Sequence, residues 1–467
     1  MTSRMPTNSS VPPTQRPASR IDAVDWPSIL PFLKIFGAVS SGLRPKRVGL
    51  TFILLLTVVA AGRVWDGFAP ATSSSEGLFA GPIREKQLVD AQESVRAVVI
   101  PVLLPEQRAN AQTASLDELE VFLADAIRAN TTNPIEPARY STLMRMIDAA
   151  RPRASFEALN EAVRSSFYAL IASVGRADFP AAIGAAHSLF VGVPVASWAS
   201  APIFTVFFVV VCILAFGRGS GVLCRLSAGD MSMRNWSLPE ASDFIRPRIS
   251  TLIFAPIFAV VLGFVLWIPA WALGLSGNLP ILNVVGGVFF GVALVSAALS
   301  AIVVVVLLVG FPLIAPAVAC DGCDAVESIQ RAGAYLFARP LHLLWYGFIS
   351  LIVIVLGTLV ADFAATIMWS FASASYESAS GETALSGVGN LRFLQPYQSA
   401  PPALLGLTQS ITVSLIDMWR TILCLLIGAC SLSIAFACAT RTYLLIRLNC
   451  DGQDVCDLWE DSLRSKD

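Results

Sequence analysis

Residues 281–319 read ILNVVGGVFFGVALVSAALSAIVVVVLLVGFPLIAPAVA and contain no charged side chain. A helix needs about 20 apolar residues to cross a hydrocarbon core about 30 Å thick, because each residue rises about 1.5 Å. The stretch is longer than one straight crossing requires, and no polar turn divides it. We therefore expect one membrane-spanning helix that is kinked or ends near Pro312 and Pro316, where missing N–H groups interrupt the hydrogen-bond ladder.

Five other stretches are long and apolar enough to span a membrane, at residues 48–65, 198–217, 249–274, 341–369 and 409–446. Across the chain, 55% of residues are hydrophobic and 14% are charged, and the mean hydropathy is +0.67. Average proteins carry roughly 25% charged residues, so this surplus of apolar side chains requires lipid as a second solvent. The sequence predicts an all-α fold, a polytopic transmembrane bundle of six helices.

The regions outside the spans differ in composition. We predict a disordered N-terminus at 1–25, an interfacial amphipathic segment at 26–47 and an extracytoplasmic helical domain at 66–197. A five-helix transmembrane region follows at 198–446 and includes an amphipathic cytoplasmic helix at 324–339. Residues 447–467 are predicted to be a cytoplasmic tail. The N-terminus is polar and rich in proline and serine. In the extracytoplasmic domain, Ser115 and Glu118 form a capping-box pattern, and apolar residues recur at helical spacing. This domain either caps the ends of the spans or binds a partner.

Lysine and arginine are distributed unequally between the two sides of the predicted bundle. They precede the first span, fill the loop 218–248 and follow the fourth and sixth spans, whereas residues 275–280 have none and the loop 370–408 has only Arg392. Cytoplasmic loops carry the excess of basic residues in multi-pass proteins. We therefore expect a protein of the plasma (inner) membrane with both termini in the cytoplasm.

Three ionisable residues fall in the outer halves of the fifth and sixth predicted spans. Asp417 and Arg420 share a helix face through their i, i+3 spacing, and Asp362 lies about two turns from the outer end of its span. A charge in hydrocarbon is costly unless it is paired or hydrated. We predict an intramembrane cluster of these three residues, which is either a structural clasp between the two helices or a gate for an ion or substrate.

Small residues mark the predicted contacts between helices. Gly287 and Gly291 are spaced as in a G-x-x-x-G motif of the fourth span, and Gly428 belongs to a stripe of small residues in the sixth. Close helix contact in lipid requires small side chains. We expect these three glycines to lie at helix–helix interfaces.

Four cysteines follow the fourth and sixth spans, at positions 320, 323, 450 and 456. Cys320, Cys323, Cys450 and Cys456 could meet and hold zinc, but C-x₅-C is not a usual zinc spacing, and the C-x-x-C pair lacks the βα context of a redox motif. In the simpler interpretation Asp321 caps the next helix, Asp324 lies in its first turn and Gly322 permits the change of direction. We expect neither a metal nor a cofactor.

The stretch FPLIAPAVACDGCDAVESIQRAGAYLFARPLHLLWYG at 311–347 combines an apolar run with two prolines, a short acidic turn, an amphipathic helix and an R-P pair before the next span. The positions that carry this pattern are Phe311, Pro312, Pro316, Asp324, Ala325, Arg331, Tyr335, Arg339 and Pro340. The pattern resembles a family of uncharacterised bacterial polytopic inner-membrane proteins and, more distantly, the membrane domain of membrane-anchored glycerophosphodiesterases. The resemblance implies a six-span architecture and carries over no catalytic residue, since its motifs are architectural.

The functional expectation follows from composition and from the motifs. A net charge of −1 does not provide the basic face of a nucleic-acid-binding protein, and two histidines leave little material for histidine chemistry. No convergent set of His, Glu, Ser or Cys residues indicates an enzyme. We expect a non-enzymatic membrane scaffold or accessory subunit, with the lipid bilayer and other membrane proteins or further copies of this chain as partners; the alternative is a permease or channel for a small solute or lipid.

Overall fold

The computed structural model describes residues 30–68, 85–129, 154–276, 282–380 and 407–460, and before residue 154 also residues 142–143, 146–147 and 150. All regular secondary structure in these residues is helical, and no strand occurs among them. The predicted all-α fold is confirmed. The segment 1–25, which we expected to be disordered, lies outside the described residues.

The helices follow one another with mostly short connections. They are α1 (Leu33–Gly42), α2 (Pro45–Phe68), α3 (Glu85–Val99), α4 (Arg108–Ala111), α5 (Leu116–Ala129), α6 (Ser155–Gly175), α7 (Phe179–His187), α8 (Val193–Ser200), α9 (Pro202–Met231), α10 (Leu238–Ile245), α11 (Ile249–Ser276), α12 (Leu282–Val288), α13 (Phe290–Asp321), α14 (Ala325–Ala338), α15 (Pro340–Ser380) and α16 (Leu407–Asp451). Two 3₁₀ turns, Ile100–Val102 and Arg246–Arg248, and a π-helical turn, Ser188–Gly192, join neighbouring helices.

Seven helical segments are long and apolar enough to cross a membrane. They are Pro45–Phe68, Phe179–Ser200, Pro202–Met231, Leu238–Leu275, Phe290–Leu307, Pro340–Ala379 and Ser414–Asp451. The prediction of a polytopic helical fold is confirmed. Phe179–Ser200 is additional to the six predicted spans, and its mean hydropathy of 1.5 is the lowest of the seven, which explains why the sequence pattern did not single it out.

The long apolar run at 281–319 is divided differently from the expectation. α13 continues through Pro312 and Pro316 and ends at Asp321, where Gly322 adopts a left-handed conformation with φ +68°. The break in the run lies earlier, at Phe289 between α12 and α13. The helix therefore does not end at the prolines, and that alternative of the prediction is wrong. Neighbouring helices can compensate for the N–H group that each proline removes.

The segment from α6 to α8 begins and ends at the same end of the bundle. At its start, the Asp66 carboxylate accepts hydrogen bonds from the backbone N–H groups of Phe156, at 2.9 Å, and of the following residue. At its finish, Ala201 leads directly into α9, where the ring of Phe207 stacks on Trp65 at 4.8 Å. Since Asp66 and Trp65 are neighbours near the C-terminal end of α2, this segment is a helical hairpin that returns to its starting side.

Between its two ends, the hairpin packs along α15. Ile171 of α6 and Val355 form a buried apolar cluster, and the ring of Phe179 lies 6.1 Å from that of Phe348. Residues 155–200 therefore pack against the bundle, and Phe179–Ser200 is one of the candidate spans, whereas the sequence analysis placed these residues in the extracytoplasmic domain 66–197. The sequence misled because one face of α6 is polar, as in a helix of a soluble domain.

The remainder of that predicted domain has a core of its own. The core residues come from α3, α5 and the residues near 147: Val95, Val99, Leu103, Ala111, Ala114, Leu116, Leu119, Leu123, Ala126, Leu143, Ile147 and Ala150. The predicted capping box is confirmed, because Glu118 N–H donates to Ser115 Oγ at 3.2 Å and Ser115 N–H donates to Glu118 Oε2 at 2.8 Å. This small helical core is separate from the clusters that hold the membrane helices together.

The predicted interfacial segment 26–47 contains α1, whose two faces differ. Ile35 and Ala38 are buried against α15 and α16, whereas Leu30 and Phe36 are exposed. α1 therefore packs on the bundle through one face and presents the other to its surroundings. Three apolar clusters, one of them the largest in the described residues, lie at this end of the bundle, where α9, α13, α14, α15 and α16 meet.

Candidate functional site

Four arginines are buried at the end of the bundle where α2 begins and α9 and α16 end. We call Arg47, Arg225, Arg441 and Arg447 the arginine plate; they are between 1% and 9% exposed. A buried guanidinium is unfavourable unless its N–H groups find acceptors and its charge finds a partner. The partners of these arginines therefore define the most polar buried site in the described residues.

Asp321, the last residue of α13, is the central acceptor of the plate. Its carboxylate accepts a hydrogen bond from Arg331 Nη1 at 2.6 Å, and further bonds from Arg447 Nη1 and the Tyr443 hydroxyl. The side chains of Asp321 and Arg447 are 8% and 1% exposed. In such surroundings charge-assisted hydrogen bonds are strong, and removal of one partner leaves an uncompensated charge.

Two distant parts of the chain satisfy the carbonyl groups at the end of α13. Arg225 Nη1 of α9 donates to the Ala319 oxygen at 2.9 Å, and the Trp459 N–H donates to the Cys320 oxygen at 2.8 Å. The last four carbonyls of a helix have no partner within it, and a cation near them opposes the negative end of the helix dipole. The plate thus completes a helix end that would otherwise be buried without partners.

The guanidinium of Arg225 is held between two aromatic rings. It lies 3.8 Å from the ring centre of Trp236 and 3.8 Å from that of Phe244, while its Nη2 donates to the Trp459 carbonyl at 2.8 Å. A planar guanidinium can stack on aromatic faces and still donate from its edge. Arg225 therefore joins α9, α10, α13 and the C-terminal residues at one point.

Residues 452–460, which we call the tail, close the plate. Arg447 Nη2 donates to the carbonyl oxygens of Asp454 and Asp457, at 2.8 and 2.7 Å. Val455 and Leu458 are buried in the same cluster as the end of α13. The predicted tail at 447–467 is therefore packed against the plate as far as residue 460. Its polar composition gave no sign of this packing.

The turn after α13 assigns its two aspartates differently from the expectation. Asp324 is the N-cap of α14, because its Oδ1 accepts from the Glu327 N–H at 2.8 Å. Asp321 does not cap α14; it ends the preceding helix and binds the plate. Both aspartates flank the same turn, and only the three-dimensional position of α16 directs Asp321 towards the arginines.

The first two helices are fastened to the same end. Arg47 Nη2 donates to Asp230 at 2.7 Å and to the Leu226 carbonyl at 2.6 Å, and Arg441 Nη1 donates to the Lys34 carbonyl. These bonds connect α1 and α2 with α9 and α16. Through them, both described ends of the chain lie at the plate.

The four candidate metal-binding cysteines occupy different environments. Cys320 and Cys323 are buried, Cys450 is half-buried and Cys456 is exposed. In the part of the chain that the structure describes, which includes all four, no three His, Cys, Asp or Glu residues form a group that could hold a metal ion. Burial raises the pKa of the Cys323 thiol to about 12.

The three predicted intramembrane charges are only partly brought together. Arg420 Nε donates to Asp417 at 2.8 Å, as their spacing predicts. Asp362 does not join them, and its Oδ1 is buried with no hydrogen-bond partner in the described residues. Within the predicted cluster, Asp417 and Arg420 are therefore hydrogen-bonded to each other, whereas Asp362 is not bonded to either of them.

A fourth charge, which the sequence analysis missed, lies near these three. Arg164, Asp362, Asp417 and Arg420 all lie close enough to Cys424 of α16 for electrostatic interaction with its side chain. Arg164 belongs to α6, which we had assigned to a separate domain. Its position follows from the packing of the hairpin against α15, for which a single sequence carries no signal.

The predicted packing glycines have different outcomes. A Cβ added at Gly287 or Gly291 would meet no described atom within 4 Å, so the prediction of an interface there is wrong. The motif spans the break at Phe289, which removes the continuous helical face that it needs. Gly428 is half-buried in α16, and a close backbone approach occurs instead at Gly42, where an added Cβ would lie 2.8 Å from Ile434 Cα.

No protein-family model matches this chain, and neither the curated proteins nor the solved structures contain a match to it. The fold and its apolar helices define the class: an integral, polytopic, all-α membrane protein. Within that class, the plate is a structural site whose arginine side chains are engaged by carboxylates, carbonyls and rings of the chain itself. This network of contacts can act as a rigid base for the helices that are attached to it.

Proposed function

We propose that the protein is a non-enzymatic membrane scaffold or accessory subunit that docks another membrane protein through a hairpin of α11 and α13. We call residues 260–276 and 290–305 the arm. The single observation that carries the proposal is the exposure of the arm over nearly its whole length. The partner is proposed to be a transmembrane helix that packs along it.

The exposed apolar side chains of the arm point in several directions. They are Val260, Val261, Phe264, Val265, Trp267, Ile268, Trp271, Leu275, Phe290, Val292, Leu294, Val295, Leu299, Ile302, Val304 and Val305. Within the 18-residue apolar stretch of each span, 17% of the residues are buried in Leu238–Leu275 and 11% in Phe290–Leu307, compared with 44% in each of the last two spans and 6% in Phe179–Ser200. Helices in lipid associate through van der Waals contact along such surfaces.

The arm is anchored at its base and held together along its seam. Ser300 Oγ donates to the Gly263 carbonyl at 3.0 Å, and Ser296 Oγ donates to the Leu266 carbonyl, so the two helices form one unit. At the base, Leu252 packs in a cluster with α9 and the end of α13. A paired hairpin fixed to the rigid arginine plate can present a surface without itself rearranging.

The proposed location is the plasma (inner) membrane, with both termini in the cytoplasm. Lys34 and Trp459 both contact the plate, which supports termini on one side, and basic residues favour the cytoplasmic side. Because the α6–α8 hairpin returns to its starting end, it does not change the side of the membrane on which the chain lies, and the six other candidate spans return the chain to the side on which it started. A six-span architecture is also what the resemblance of residues 311–347 to a bacterial membrane-protein family implies.

One observation favours the alternative, a permease or channel for a small solute or lipid. The Asp362 Oδ1 atom is buried without a partner in the described residues, near Cys424 and the charges around it. Unpaired intramembrane carboxylates are features of ion pathways. If this alternative holds, Asp362→Asn abolishes solute or proton flux in proteoliposomes that the unmodified protein supports.

A photo-crosslinking amino acid placed in the arm tests the docking proposal. Positions Phe264 and Val295 are exposed on the arm, and Phe363 of α15 is an equally exposed control away from it. In native membranes we expect a protein adduct of one discrete mass from Phe264 and Val295 and none from Phe363. Adducts with lipid alone at the arm positions, or equal protein adducts at all three, would contradict the proposal.

A further inference from the structure

Two exposed arginines stand next to each other where α9 meets α10. Arg218 Nη2 donates to Ser242 Oγ at 2.5 Å. The Arg246 N–H donates to the Ser242 carbonyl, so Ser242 and Arg246 lie one helical turn apart on the same face. Arg218 and Arg246 are both exposed, and the side chain of Arg246 makes no hydrogen bond or ion pair with the residues that the structure describes.

Each arginine lies at the end of a row of exposed apolar side chains. The rows consist of Leu214, Val210 and Val206 before Arg218 on α9, and of Phe254 and Phe258 after Arg246 on α11. Residues four apart are neighbours on a helix surface, so each row leads away from its arginine and drifts slowly around the helix. Because α9 and α11 run in opposite directions, both rows extend from the arginines towards the same side of the bundle.

The surrounding charges leave this place positive. Arg248 lies 4.0 Å from the Phe244 ring and donates to the Phe244 carbonyl, which adds a third cation to the same short stretch. Of the acidic side chains on α10, Glu240 accepts the Ser237 N–H at 2.7 Å in a capping box, and Asp243 is exposed. By formal charge, the three arginines of this stretch therefore outnumber its two carboxylates by one.

We propose that α9 and α11 bind an anionic diacyl phospholipid, with its phosphate on Arg218 and Arg246 and its two acyl chains along the two apolar rows. Guanidinium groups bind phosphate oxygens through charge-assisted hydrogen bonds, and exposed apolar rows at membrane depth suit acyl chains. The proposal is independent of the scaffold function. A free phosphate ion would contact the arginines alone, whereas a phospholipid would also contact the apolar rows. Changes in the rows therefore distinguish the two ligands.

Native mass spectrometry of the full-length protein tests this site with phosphatidylglycerol, phosphatidylcholine and inorganic phosphate as probes. We expect the affinity for phosphatidylglycerol to fall about tenfold in the double variant Arg218→Gln/Arg246→Gln, since each basic residue near a membrane surface contributes a several-fold factor. Arg339→Gln is the matched control, because Arg339 is exposed at the junction of α14 and α15, outside this site. Its affinity should stay within about twofold of the unmodified protein.

The apolar rows receive their own variant. Phe254→Ala/Phe258→Ala should weaken phosphatidylglycerol binding and leave inorganic phosphate binding unchanged. Equal loss in the double-arginine variant and in Arg339→Gln would overturn the proposal in favour of a general charge effect. The proposal would also be overturned if the protein bound phosphatidylcholine as tightly as phosphatidylglycerol. Displacement of the bound lipid by millimolar inorganic phosphate would overturn it as well. If the double variant fails to fold, Arg246→Gln alone replaces it, since that side chain makes no bond in the described residues.

Discussion

Arg225 illustrates, at the scale of one residue, why this protein buries arginines and not lysines in its plate. Its flat guanidinium stacks on Trp236 and Phe244 and at the same time reaches the carbonyls of Ala319 and Trp459. A lysine ammonium is a compact, strongly hydrated point charge and can offer neither the planar stack nor the fork of donors. The shape of the side chain therefore matters here as well as its charge.

We predict that Arg225→Lys lowers the free energy of unfolding by about 2 kcal/mol although the charge is kept, since a hydrogen bond to a buried carbonyl and the ring contacts are lost. Chemical unfolding in detergent or nanodiscs measures the change. The control is Arg234→Lys, whose partner Glu460 is exposed, as is Arg234 itself. It should change stability by less than about 0.5 kcal/mol; equal effects of the two substitutions would contradict the prediction.

The same residue scale shows where sequence reasoning reaches its limit. The Asp417–Arg420 bond and the Ser115–Glu118 capping box depend on residues three apart, so helical spacing alone predicts them. The contacts of Asp321 with Tyr443 and Arg447 join residues more than a hundred positions apart. Nothing in the local pattern CDGC announces them, which is why the aspartate was taken for a helix cap.

At the scale of elements, the junction of α13 and α14 depends on one glycine more than on two prolines. α13 passes through Pro312 and Pro316, whereas it ends where Gly322 adopts φ +68° and the direction changes by 120°. A side chain in the left-handed region is strained, and glycine avoids this. The tail also approaches closely, since an added Cβ would lie 2.9 Å from Cδ1 of Trp459.

We predict that Gly322→Ala destabilises the protein more than Gly452→Ala. Both glycines have φ +68°, so both substitutions carry a backbone strain of about 1–2 kcal/mol, but no atom lies within 4 Å of a Cβ at Gly452. The extra crowding at Gly322 should add about 1 kcal/mol or more and lower the melting temperature further. Differential scanning fluorimetry of the two variants measures this. Matching melting temperatures would show that the tail does not pack on the turn.

The helices themselves were largely predictable, whereas their partners were not. Long apolar runs identify α2, α9, α11, α13, α15 and α16 because only lipid accommodates them. α6 was placed in a separate domain, since an amphipathic stripe does not reveal whether the helix packs on a soluble core or on α15. The packing glycines failed for a related reason: Gly287 and Gly291 have the right spacing, but the helix breaks between them.

At the scale of the whole molecule, the arginine plate connects parts of the chain that are far apart in sequence. α1 and α2 reach it through Lys34 and Arg47, α9 through Arg225, α13 through Asp321 and the tail through Trp459. In lipid, apolar helices have no hydrophobic force that drives them together. Polar contacts at one end can therefore fix the arrangement of the bundle and leave the arm free for a partner.

The central claim, that buried ion pairs of the plate hold distant helices together, is tested most directly by a double-mutant cycle on Asp321→Asn and Arg447→Gln. The free energies of unfolding of the two single variants and the double variant give the coupling energy. We predict a coupling of about 2 kcal/mol or more, because Asp321→Asn leaves the buried Arg447 guanidinium without its carboxylate, whereas Arg447→Gln removes one of three partners of Asp321 and leaves Arg331 and Tyr443 in place. The partly exposed pair Asp417–Arg420 serves as the control and should show less than about 1 kcal/mol. Additive effects of Asp321→Asn and Arg447→Gln, within about 0.5 kcal/mol, would contradict the account.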